Sequence, residues 1–112
     1  MRIYKEIVEK NKELGGTLVR PSSLHFACDR ASYEKNIYKK VAYIIRAIVV
    51  DHPFDDFNKT TSIITTKKMF KKEGIICSKE KLAIQVTKIA KRSTKSVIKI
   101  ERILRKCCPR KK

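Results

Sequence analysis

Residues 36 to 51 constrain the fold more than any other stretch of the chain. From Asn36 to Asp51 the sequence is apolar on nearly every side of a helix, through Ile37, Val41, Ala42, Ile44, Ile45, Ala47, Ile48 and Val49. A helix that is hydrophobic all round is surrounded by its own domain, so the remaining segments must cover it. With 112 residues, the chain has enough material for one such domain and not for two. Its 42% hydrophobic and 35% charged residues, with only three Gly and three Pro, exclude disordered, collagenous and turn-rich β classes. The expectation is an all-α, compact single domain of about six helices around a buried central helix, spanning residues 1 to 108 with a basic tail at 109 to 112.

The covering elements follow from period and punctuation. A first helix is expected from about Arg2 to Leu14, with Ile3, Ile7 and Leu14 near one face and Gly15-Gly16 as its stop. Pro21 and Ser22-Ser23 start a short second helix bearing Leu24, Ala27 and Cys28. Pro53 ends the central helix and leaves His52 at its boundary. A fourth helix is expected from Asn58, acting as its cap, through Ile63, Ile64 and Phe70 to Gly74. Ser78 caps a fifth carrying Leu82, Ala83, Val86, Ile89 and Ala90, and Ser93 or Thr94 opens the last, with Val97, Ile100 and Leu104 as its stripe.

The formal charge of +17 is unevenly placed. Residues 1 to 58 hold ten basic and eight acidic side chains, whereas residues 59 to 112 hold eighteen basic and three acidic ones. That asymmetry points to acidic partners such as nucleic acid, nucleotide phosphates or an acidic protein segment; a solvated lysine-rich surface accounts for it as well. Cys28, Cys77, Cys107 and Cys108 form no C-x-x-C pair, and no histidine spacing completes a zinc site. No stretch approaches the ~20 apolar residues of a membrane span. A soluble, cytoplasmic protein with reduced thiols and no membrane partner is expected.

The chemistry-bearing residues cluster at His52-Pro53-Phe54-Asp55-Asp56-Phe57-Asn58-Lys59-Thr60. This segment joins the end of one helix to the start of another, and helix N-termini offer free N–H groups and the positive end of the macrodipole to anions. An imidazole takes a proton from a hydroxyl, a carboxylate holds magnesium, and a lysine holds phosphate oxygens. The set points to phosphoryl or nucleotidyl transfer. A purely structural account also exists, in which His52 meets a helix dipole, Asp55 and Asp56 initiate the next helix and Lys59 is a solvated charge. Phe54 is a core anchor on either account.

His52 to Thr61, HPFDDFNKTT, resembles the Fic/Doc (Fido) signature H-P-F-x-D-G-N-G/K-R-T, with Lys59 matching the Doc toxin branch. Gly15-Gly16 through Leu24 and Ala27 look like the family's approach to its central helix, and Ala42 to Asp51 look like that helix. The resemblance implies a Fido-type helical bundle with His52 as base toward a protein hydroxyl and Asp56 on Mg2+. It places the nucleotide phosphates of ATP on Phe57, Asn58, Lys59 and Thr60. It also implies phosphoryl transfer of the Doc kind, or AMP transfer of the Fic kind, and restraint by an antitoxin segment, for which an acidic one would suit this chain. Two departures stand out. Phe57 replaces Gly or Ala where a phosphate nest needs positive φ, a conformation a bulky residue is expected to resist. Thr60 replaces the phosphate-gripping arginine, which implies weakened or lost transfer. The alternative function is a basic nucleic-acid-binding module, with the last two helices read as a pair whose second member is basic.

Overall fold

The computed structural model describes residues 2–110, and among them six helices follow one another: α1 (Arg2–Leu14), α2 (Pro21–Ser32), α3 (Ile37–Val49), α4 (Asn58–Lys72), α5 (Lys79–Arg92) and α6 (Val97–Cys107). The apolar run is α3, the element the others surround. Val41, Ala42, Ile44, Ile45, Ile48 and Val49 have no exposed surface, and α2, α4, α5 and α6 all pack against this helix. It starts where the Asn36 side chain accepts hydrogen bonds from the Tyr38 and Lys39 amides, at 2.9 and 3.3 Å. The chain is therefore all-α and folds as one globular domain, with a radius of gyration of 12.6 Å against the about 13 Å usual for this length. Of the expected basic tail, Pro109 and Arg110 lie outside regular structure, and Lys111 and Lys112 lie outside the described residues.

Three local expectations are corrected. The last helix opens at Val97 and is capped by Ser96, whose hydroxyl accepts from the Lys99 amide at 3.2 Å; Ser93 instead ends α5 in the left-handed region, at φ 47°. In α4 the deepest positions are Thr61, Ser62, Thr65, Thr66 and Phe70, while Ile63 and Ile64 are only half-buried. The helix turns its short hydroxyl side chains, more than its isoleucines, toward the interior. Among the described residues, the buried Ser62 Oγ and Thr66 Oγ1 have no hydrogen-bond partner.

The third correction concerns the thiols. Cys77, just before α5, and Cys108, just after α6, are joined in a disulfide with their Cα atoms 4.7 Å apart. The two helices run antiparallel, so residues 31 apart in sequence become neighbours at the open end of the hairpin. Tyr38 secures the same corner: its hydroxyl donates to the Cys108 carbonyl at 2.6 Å, and the Arg105 guanidinium lies 4.6 Å from its ring centroid. Cys28 and Cys107 remain free, and burial pushes the Cys28 thiol up to about 12. No helix among the described residues is long and apolar enough to cross a membrane.

Candidate functional site

The loop between α3 and α4 is fastened to the segment between α1 and α2. Leu18 and Phe54 form an isolated antiparallel bridge. The Pro53 carbonyl accepts from the Val19 and Arg20 amides at 2.8 and 2.9 Å, and the Asp55 amide donates to the Thr17 carbonyl at 3.0 Å. Asp55 answers with its side chain, which accepts from the Thr17 amide at 2.7 Å. Arg20 donates through Nε and Nη2 to the His52 carbonyl, at 3.1 and 2.8 Å. His52 itself has a positive φ, 50°, a region sparsely populated by residues other than glycine. Phe54 is the buried anchor beneath this loop.

The start of α4 departs from expectation in two ways. Asn58 does not cap the helix. Its side chain turns back on the loop, donating to the Phe54 carbonyl at 2.9 Å and accepting from the Phe54 amide at 3.2 Å. The cap position belongs to Phe57, which makes no side-chain capping bond. Phe57 also adopts the left-handed conformation expected to repel it, at φ 62° and ψ 26°. Its amide is tied to Asp56 Oδ1 at 2.7 Å, and its ring lies over Gly15, where a side chain would sit 3.5 Å from the ring edge. Left-handed backbone costs a non-glycine residue about 1–2 kcal/mol, which these contacts offset. The helix therefore begins with the Asn58, Lys59 and Thr60 amides uncapped, since the first N–H groups of a helix have no intrahelical acceptor.

A cleft of about 470 Å³ opens at this point, lined by His52, Asp55, Asp56, Phe57, Asn58, Lys59 and Thr60. All six residues singled out in the sequence thus share one cleft with Asp55. His52, Asp56, Lys59 and Thr60 are exposed, and Asn58 is half-buried because its side chain serves the loop. Magnesium suits this donor set as a companion of phosphates: it takes one or two carboxylates and completes its octahedron with phosphate oxygens and water. Asp56 would hold it through its second oxygen, since Oδ1 accepts from the Phe57 amide; Asp55 likewise has one oxygen engaged, by the Thr17 amide. Among the described residues no group of three or more His, Cys, Asp or Glu side chains forms a ready-made metal cage.

Sequence reasoning missed three contributors. Asn11 is buried within α1 and donates to the Asp56 carbonyl at 2.9 Å and to Thr61 Oγ1 at 3.1 Å, joining α1 to the motif. Its signal was present, since it falls one turn after Ile7 on the apolar stripe and is the polar intruder there. Arg20 carried no signal, because the loop it holds is 32 residues away. The cleft is also lined by Thr87, Ala90 and Lys91 of α5, whose spacing reads as an ordinary amphipathic helix. Compared with known protein families, curated proteins and solved structures, the chain shows no match.

Proposed function

We propose that this protein is a Doc-like nucleotide-dependent transferase acting on a protein hydroxyl, with phosphoryl transfer from ATP as its reaction and a weakened active site. One observation carries the reading: His52, Asp56 and Lys59 meet in a single cleft at an uncapped helix start. In this reading His52 takes the proton of the target hydroxyl, whose oxygen attacks the terminal phosphorus while the bond to the nucleoside diphosphate breaks. Asp56 holds the magnesium that accompanies the nucleotide, which neutralises phosphate charge. The α4 amides and Lys59 receive the phosphate oxygens. Thr60 offers only a neutral hydroxyl where a forked, permanently charged guanidinium would grip the phosphates.

The test is protein labelling in a cell extract with ATP labelled at either the γ or the α phosphate. The wild type is expected to label slowly, from the γ position only. Thr60→Arg should raise the rate by about 100- to 1000-fold, the usual worth of one preorganised donor, and His52→Ala should abolish it. Labelling from the α position would make the reaction AMP transfer. Absence of labelling and of ATP binding in every variant would refute the reading.

A second reading, nucleic-acid binding, is favoured by the state of the basic half. Among the described ion pairs, only Lys68 and Arg105 of residues 59–110 hold a carboxylate. Lys99, Arg102 and Lys106 face solvent along α6.

A further inference from the structure

We propose that Lys91, on α5, is the phosphate-binding cation that the motif lacks at Thr60. The inference rests on the nucleotide reading of the cleft and assigns to the α5 part of its lining a role that the motif does not contain. Thr87, Ala90 and Lys91 lie within about one turn of α5, and all three line the cleft that also holds Lys59 and Thr60. This end of α5 and the start of α4 therefore border the same space of about 470 Å³.

The chemistry of that α5 lining is graded. Ala90 has the shortest side chain available and leaves the cleft its width, Thr87 offers a hydroxyl, and Lys91 offers a charge. Lys91 belongs to the last turn of α5, where the carbonyl end of the helix favours a cation. It is exposed, and neither Asp55 nor Asp56 of the same cleft is paired with it among the described ion pairs. An anion entering the cleft would meet the α4 amides, Lys59 and Lys91 in its lining. Lysine suits the position because its four-carbon stem lets a compact charge reach into the cleft from α5, whereas residue 60 lies on the helix start itself. Two lysines in the lining, one from α4 and one from α5, with Asp55 and Asp56 beside them fit a polyphosphate carrying magnesium, rather than a single carboxylate.

The experiment uses the full chain and two probes, ATP with Mg2+ and inorganic tripolyphosphate with Mg2+, titrated against four proteins: wild type, Lys91→Ala, Lys91→Arg and Lys88→Ala. Lys88 is also exposed on α5 but does not line the cleft, so its variant matches the loss of net charge. Lys91→Ala should weaken both probes by about 10- to 100-fold, the range for a hydrogen bond to a charged group, while Lys91→Arg and Lys88→Ala stay within about twofold of wild type. Thermal melting of each variant checks that the fold is retained, and the exposed position of Lys91 predicts that it is. If wild type binds ATP and Lys91→Ala binds it equally, the assignment of Lys91 fails while the nucleotide reading stands. Equal losses in Lys88→Ala and Lys91→Ala would reduce the effect to general charge and overturn the assignment too. If wild type binds neither probe, both readings fall together.

Discussion

At the residue scale the decisive position is Phe57. The sequence predicts that an aromatic residue resists the left-handed region, and the backbone adopts it nonetheless with its amide tied to Asp56 and its ring edge at ordinary contact distance from where a side chain at Gly15 would sit. What was legible was the type of residue required; what was not was a contact with Gly15, 42 positions earlier and on another segment. The consequence for stability depends on the shape of the replacement. Phe57→Gly removes the strain together with the ring contact and should leave the melting temperature unchanged or slightly higher. Phe57→Val, β-branched and stiff, should lose about 1–2 kcal/mol by chemical denaturation. Equal stability of the two variants would show that the conformation is not held there. Because the nest conformation already exists, Phe57→Gly should add little to the labelling gained by Thr60→Arg.

Among the elements, α3 is legible because its signal is composition on every face, and α5 because Ser78 and its apolar spacing agree. The inner face of α4 was not legible, since Thr61, Ser62, Thr65 and Thr66 read as solvent-facing until α1 and α3 cover them. That burial leaves the Thr66 hydroxyl without a partner. Thr66→Val keeps the shape and deletes the unsatisfied group, so it should stabilise the protein by about 1–3 kcal/mol; a lower denaturation midpoint would mean that the hydroxyl finds a partner after all. The α5–α6 hairpin gives the same lesson, since no local spacing announces the Cys77–Cys108 bond. Closing a loop with a sequence separation of 31 is worth roughly 3–4 kcal/mol in chain-entropy terms. Reductant, or Cys77→Ser with Cys108→Ser, should therefore lower the melting temperature. Phosphate binding should survive in the folded state, because the cleft uses the other end of α5. A melting temperature indifferent to reductant would contradict the first expectation.

For the whole molecule, the surplus of positive charge sets the background against which any anion is recognised. Duplex DNA is expected to bind weakly and without sequence preference, with affinity falling steeply with salt, each phosphate contact contributing about 0.9 to the log–log slope. Nanomolar binding to one defined sequence at physiological salt would place the nucleic-acid reading first. The site, by contrast, depends on a few backbone bonds between distant segments. Residues 17–20 hold the motif loop through main-chain N–H and C=O groups, with Arg20 the one side chain of that segment reaching the His52 carbonyl. Main-chain bonds are indifferent to the side chain beside them. Saturation mutagenesis should thus find Thr17 and Val19 permissive toward everything except proline, and Asn11 and Arg20 intolerant of almost any exchange. The loop is a place where sequence is free to drift while shape stays put.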